Sequence, residues 1–192
     1  MRRNSACSAD SVSRVDARRY TTGVTLYESI VTLGVASIIG ITAMPTLRDI
    51  LAAQRMTTAV NEFITGLTLA RTEAITRGRS VLLCPGTAAT GCRSSTDWHQ
   101  GFIVLSDEND DNRFDASRDV LVRSSGPAAE ALRIGSGRRF MQYQPSGLAG
   151  GSNQSVCFCD ARGPGQGRVV IINLAGRPYV SKKRPDGTPP TC

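Results

Sequence analysis

Hydrophobic residues fall into distinct regimes along this chain. Between Val24 and Leu47 they run almost unbroken, and Glu28 is the single charge among 24 residues. A helix of that length, rising about 1.5 Å per residue, reaches about 36 Å and can cross a hydrocarbon core of about 30 Å. Beyond Pro45 the pattern turns amphipathic: Met56, Val60, Phe63, Leu67, Ala70 and Ala74 recur at alternating spacings of four and three, the seam of a helix lying on a core. Arg77 and Gly78 then supply a cationic last turn and a left-handed cap. The pattern predicts one helix from Thr25 to Arg77, kinked at Pro45. Its first half belongs in a membrane or filament core and its second half packs on a head domain.

After Gly78 the chain reads as short strands between turn signals. Strands are expected near Ser80 to Cys84, Gly101 to Ser106, Val120 to Ser124, Leu132 to Gly135, Arg138 to Gln144, Ser155 to Cys159, Arg168 to Leu174 and Pro178 to Lys182. The last two flank Leu174-Ala175-Gly176-Arg177, a hairpin turn with Gly176 at the position that needs positive φ. A long kinked helix followed only by antiparallel strands is an α+β architecture, the helix packed on an antiparallel β-sheet head.

A length of 192 residues accommodates one good-sized domain and a membrane segment. Residues 1–23 carry Arg2, Arg3, Arg14, Arg18 and Arg19 against Asp10 and Asp16, and basic residues stop where the apolar run begins, which holds this end on the cytoplasmic side. A secretory signal peptide shares the basic start, but no small-residue cleavage site follows Leu47. Glu28 then needs a reason, because a lone carboxylate in an apolar span is costly without a partner. On a plain anchor helix it would snorkel to the membrane edge.

The stretch "TGVTLYE" resembles the prepilin processing site of type IV pilins and type II secretion pseudopilins: a Gly, the cut, an apolar residue and Glu at the fifth mature position, matched by Gly23, Val24 and Glu28. The resemblance implies cleavage after Gly23 by the prepilin peptidase, N-methylation of Val24, and a helix break at Pro45, the twenty-second mature residue. Val24 stands where Phe is usual, Tyr27 and Ser29 where aliphatics are usual, and the leader is long. Cleavage creates an α-amino group at Val24. In a filament, one subunit's Glu28 would meet a neighbour's amino group and pair two charges that are each expensive alone. Further along, "LARTEAITRG", "LLCP", "W…GFIVLSDEN", "CFCDARG" and "VVIINLAGR" resemble the FimT/GspH group of minor pilins and minor pseudopilins, over Thr22 to about Tyr179. The implied layout is a cleaved leader (1–23), a transmembrane and filament-core half-helix (24–47), an amphipathic half-helix (48–78) and a disulfide-bearing β-rich head (79–192).

Cysteine usage agrees with export. Cys7 lies in the leader, leaving Cys84, Cys92, Cys157, Cys159 and Cys192, an odd number. Cys84 and Cys92 bracket "PGTAATG" and are expected to close a local disulfide. By the resemblance, Cys159 before Asp160 holds the family's cysteine position and ties Cys192 to the sheet, with Cys157 to spare. A zinc site would want C-x-x-C spacing in place of the C-x-C found here, so neither metal nor cofactor is expected. The acidic stretch with Asp107, Asn109, Asp111 and Asp115 has the look of a calcium loop, but Asn112 replaces Gly at its sixth position and Arg118 replaces Glu at its twelfth. A solvated loop is the preferred reading. The single histidine, His99, follows the single Trp98 with no nucleophile motif beside it, and no enzyme is expected.

The net charge is +7; loss of the leader, with five of the 23 basic and two of the 16 acidic residues, leaves +4. That excess is carboxyl-terminal. Residues 131–192 hold Arg133, Arg138, Arg139, Arg162, Arg168, Arg177, Lys182, Lys183 and Arg184 against Asp160 and Asp186, with Tyr179 among them as a stacking surface. Some FimT-like minor pilins bind DNA through a carboxyl-terminal G-R-x-R motif. Here Gly176 and Arg177 match, Tyr179 takes the fourth position, and basic residues return at Lys182, Lys183 and Arg184. Solubility charge, or contact with an acidic neighbouring subunit, is the alternative. The expectation is a single-pass inner-membrane precursor with a periplasmic head. It assembles with other pilins or pseudopilins, surface-exposed in a type IV pilus, and offers that head to double-stranded DNA in natural transformation. A minor pseudopilin of the type II secretion system and a non-polymerising membrane-anchored periplasmic domain are the competing readings.

Overall fold

The computed structural model describes residues 23–111, 114–115, 117–151 and 154–192. The leader up to Thr22, with Cys7, and Asn112 of the acidic stretch lie outside the described residues. The chain divides into two units, residues 1–43 and 44–192.

Helix α1 (Leu26–Arg77) carries Pro45 in its interior. In the first unit its apolar side chains are exposed on every side, from Leu26 at 80% to Ile41 at 76%. The hydroxyls of Thr32 and Ser37 donate back to the carbonyls of Ser29 and Leu33, so these polar groups are satisfied by the helix itself. Such a surface suits lipid or other apolar helices. Among the described residues no single helix is long and apolar enough to cross a membrane; Leu26–Ile41 and Ala43–Arg77 meet that requirement only together.

In the second unit α1 buries its seam. Met56, Val60, Phe63, Leu67, Ala70 and Ala74 are all buried, and the helix ends as Arg77 pairs with Glu73 at 2.5 Å and Gly78 adopts a φ of 63°. Phe63 meets the rings of Trp98, Phe102 and Phe158 edge-on, with centroids 5.6, 5.4 and 5.7 Å away. These are favourable aromatic geometries.

The strands form two antiparallel sheets. The first has the order β2 (Gly91–Cys92), β1 (Ser80–Thr87), β3 (Phe102–Asp107), β4 (Val120–Ser124), with β6 (Met141–Tyr143) also paired to β1 at Val81–Leu83. The second has the order β5 (Arg133–Ser136), β7 (Gln154–Cys159), β8 (Arg168–Ile172), β9 (Pro178–Ser181). Alternation along the strands sorts the side chains. Val81, Leu83, Val104 and Met141 of the first sheet and Ile134, Val156, Phe158 and Val170 of the second join the helix seam in one core. Leu82, Cys84, Ile103 and Leu105, and separately Cys157, Val169 and Ile171, form small clusters of their own.

All eight expected strands occur, Val120–Ser124 with the expected bounds and the other seven with shifted ends. The seventh stops at Ile172 because Asn173 opens the turn to Gly176, whose φ is 72°. The fifth shrinks to Met141–Tyr143, preceded by bends at Gly137 and Arg139. The two-residue β2, paired to Gly86 and Thr87, was not foreseen; it lies beside the Cys84–Cys92 disulfide and is too short to show a period.

Tyr143 is buried with its hydroxyl unpartnered among the described residues. Burial pushes its pKa up to about 12, with the Arg71 guanidinium pulling weakly the other way. A phenol raised above its unfolded pKa of about 10 disfavours the folded state as pH climbs between the two values. We expect the head to lose stability above pH 10, and Tyr143→Phe to abolish that loss at no cost near neutrality, as read by urea denaturation at pH 7 and pH 11. Phe63→Ala should cost about 3–5 kcal/mol in the same assay.

Candidate functional site

Two regions carry the candidate chemistry. At the start of α1, Gly23, Val24 and Thr25 precede the helix and are exposed. The Thr25 hydroxyl accepts a hydrogen bond from the Glu28 backbone N–H at 3.3 Å, and the Thr25 carbonyl accepts from the Ser29 N–H at 3.1 Å. Thr25 is therefore the N-cap, a role that the T-x-x-E spacing of Thr25 and Glu28 signals and that the sequence reading missed. Glu28 lies in the first turn, where a carboxylate gains about 0.3–1 kcal/mol from the helix dipole. Pro45, inside α1, has no N–H to offer the Ile41 carbonyl.

The second region is the basic carboxyl-terminal part of the head. Its nine cations are not equivalent. Arg162 is bound to Asp160 at 2.6 Å and donates to the Asp49 carbonyl of α1. Burial opposes the Asp160 charge, but hydrogen bonds from the Arg162 side chain and backbone outweigh it and hold the carboxyl below the usual carboxylate range. Arg168 donates to the carbonyls of Gln166 and Gly167, Arg139 to the Ser94 hydroxyl, and Arg184 to the Thr191 hydroxyl at 2.6 Å and the Thr191 carbonyl. Arg177, Lys182 and Lys183 differ: they are exposed, and among the described residues their side chains take no hydrogen bond. Tyr179 between them is half exposed on β9, an edge strand of its sheet. Arg177 precedes β9 and Lys182 follows it, so they stand about 17 Å apart at roughly 3.4 Å per residue.

Gly176 has a structural reason of its own. Its φ is positive, and an added Cβ would lie 3.0 Å from the Tyr143 ring and 3.3 Å from Arg71 Nε. The Asn173 side chain accepts from the Arg177 N–H at 2.9 Å and fixes the turn.

Residues 59–176, well over half the chain, match the family described as type II transport protein GspH. The chain belongs to the GspH family. No curated protein matches it. Its fold is similar to that of the type IV minor pilin FimU of Pseudomonas aeruginosa strain PAO1. One crystal form is 19% identical with a TM-score of 0.54, covering 72% of this chain and 94% of that one. A second is 18% identical with a TM-score of 0.51, covering 70% and 97%. Family and fold together make the GspH-family chain a minor pilin or pseudopilin. The family match ends at Gly176, so Arg177, Tyr179, Lys182, Lys183 and Arg184 lie outside it.

The other candidates in this GspH-family head have structural tasks. Asp119 accepts from the backbone N–H groups of Glu108 and Asp115, and Asp115 accepts from the Ser117 N–H and hydroxyl. The Ser117 hydroxyl, its N–H and nearby Arg118 lower the Asp115 pKa. Among the described residues no three His, Cys, Asp or Glu are grouped to hold a metal ion. Trp98 is buried and donates its indole N–H to the Arg138 carbonyl at 3.3 Å, while His99 beside it is half-buried. The disulfides are Cys84–Cys92 and Cys159–Cys192, with Cys157 a buried thiol.

If Gly176 serves the turn and Arg177 the surface, their substitutions should separate. Gly176→Ala should destabilise the fold by about 1–2 kcal/mol or more. Arg177→Ala should stay within about 0.5 kcal/mol, both measured by urea denaturation.

Proposed function

We propose that this GspH-family chain is a minor subunit of a type IV pilus. Prepilin peptidase cuts after Gly23, residues 24–47 hold the mature chain in the inner membrane and then in the filament core, residues 48–78 carry the head, and residues 79–192 form that head in the periplasm. In the filament, Glu28 pairs with the Val24 amino group of a neighbouring subunit. The observation that carries the reading is the first part of α1, apolar and exposed on every side with one carboxylate in its first turn. Such a surface needs a matching apolar environment, and such a carboxylate needs a cation. The work of the subunit is assembly and presentation rather than catalysis.

Mass spectrometry of the mature chain in a host with the peptidase should find Val24, methylated, at the N-terminus. An uncut chain would overturn the proposal in favour of a plain membrane-anchored domain. Glu28→Ala should still be cut and inserted, yet fall at least about tenfold in sheared filaments, since breaking a buried pair costs about 3–5 kcal/mol.

For the head, the proposed ligand is double-stranded DNA, taken up in natural transformation and met by Arg177, Tyr179, Lys182 and Lys183 along the β9 edge. Their exposure and lack of partners among the described residues support this. Arg184 contributes charge while its guanidinium holds Thr191. The full chain in detergent, titrated with labelled duplex at two salt concentrations, should bind more weakly at high salt. The triple substitution Arg177→Ala, Lys182→Ala, Lys183→Ala should flatten the salt dependence by about one unit of slope per lost phosphate contact. Failure to bind at low salt, or indifference to the triple substitution, removes DNA and leaves the pilus reading intact. The family description favours a second reading, a minor pseudopilin at the pseudopilus tip of the type II secretion system. Recovery of the chain with secretion-machine pseudopilins instead of pilus subunits would establish it.

A further inference from the structure

Three sulfur atoms lie at the carboxyl-terminal end of the head, and only two are bonded. Val156 and Phe158 of β7 enter the main core, so Ser155, Cys157 and Cys159 share the opposite face of the strand. Cys159 is bonded to Cys192, with Cα atoms 6.1 Å apart. Cys157, one pleat repeat away at about 7 Å, is a free thiol and 4% exposed.

The tail that ends at Cys192 folds back after β9. The Arg184 N–H donates to the Thr188 carbonyl, the Gly187 N–H to the Arg184 carbonyl, and the Arg184 guanidinium to Thr191. Together, tail and strand enclose a cavity of about 560 Å³ lined on one side by Gly135, Ser155 and Cys157 and on the other by Arg184, Thr191 and Cys192. Cys157 is paired in register with Gly135, and a Cβ added there would meet nothing within 4 Å. Cys157 and Cys192 thus line one cavity.

We propose that Cys157, Cys159 and Cys192 form a thiol–disulfide exchange site in which Cys157 is the internal nucleophile. The Cys157 thiolate attacks Sγ of Cys192. The Cys157–Cys192 bond forms, the Cys159–Cys192 bond breaks, and its electron pair leaves on the Cys159 sulfur, which takes up the proton that Cys157 released. The exchange needs no oxidant or reductant. Cys192 lies in the tail that follows β9 and outside both sheets, so moving its tether by one pleat repeat displaces that tail and no strand. The consequence is a tail after β9 with two covalent positions on β7, fixed independently of whether the head binds DNA.

The test uses the full chain in detergent, equilibrated at pH 8 with a trace of glutathione, quenched in acid, alkylated, digested and sequenced as linked peptides by tandem mass spectrometry. Both Cys159–Cys192 and Cys157–Cys192 linkages are expected, with alkyl groups divided between Cys157 and Cys159. Cys159→Ser should form the Cys157–Cys192 bond and leave neither Cys157 nor Cys192 alkylatable, and Cys157→Ser should hold Cys159–Cys192 as its one linkage to Cys192. A wild-type chain in which Cys192 is linked to Cys159 alone, with Cys157 alkylated and Cys159 never alkylated, overturns the proposal. So does a folded Cys159→Ser chain in which Cys157 and Cys192 both stay alkylatable. Should Cys159→Ser fail to fold, the wild-type linkage map decides.

Discussion

The head is organised by the contact of one helix seam with two sheets. Phe63 touches Trp98 from the loop before β3, Phe102 from the first sheet and Phe158 from the second, so a single side chain of α1 stands where the layers meet. Residues around it shrink to let neighbours in. A Cβ on buried Gly66 would lie 2.5 Å from the Phe102 ring, and Ala70 and Ala74 are fully buried with side chains of one carbon. A core close-packed in this way feels the loss of even a few methylenes. The two sheets share that core through the helix, which explains why an element that begins outside the head also determines how the head is built.

The parts legible in the sequence are those with a local signal. The seam at spacings of four and three, the Arg77-Gly78 end and the eight strands each had a periodicity or a turn residue to announce them. What stayed hidden was set by partners distant in sequence. That β6 pairs with β1 while β5 pairs with β7, dividing the strands between two sheets, depends on pairings across dozens of residues. β2 has two residues, and no alternation can be read in two. Thr25 was legible but unread, since T-x-x-E before an apolar run is a capping signature. The candidate surface was legible as charge and not as geometry: nine cations in the last third of the chain gave no indication that Arg162 and Arg184 hold structure while Arg177, Lys182 and Lys183 face solvent.

That division alters the meaning of the basic excess. A guanidinium already bound to a carboxylate, as Arg162 is to Asp160, contributes little new attraction to a polyanion, because its field is largely cancelled by its neighbour. One donating to backbone carbonyls, as Arg168 does, keeps its charge but has fewer N–H groups for a phosphate. The exposed cations flank an edge strand, and Lys182 follows Ser181, which is registered against Val169 next to Arg168. Charge is thus concentrated at one end of β9 and single at the other, an asymmetry absent from net charge alone. The family match stops at the turn where this strand begins.

The same separation of tasks applies at the other end of the molecule. A carboxylate in the first turn of a helix can be explained locally, by the dipole and by capping, without invoking any other molecule. Here the Thr25 hydroxyl already accepts the Glu28 N–H, and the helix start is held by that bond and by the Thr25 carbonyl. The Glu28 carboxylate takes no hydrogen bond among the described residues. A dipole worth about 0.3–1 kcal/mol is also small beside the several kcal/mol that a charge costs when removed from water. Local structure therefore accounts for where the helix begins but not for a charge in an otherwise apolar run. In the filament proposed above, the cost of taking that charge out of water is offset by a cation supplied from outside the helix.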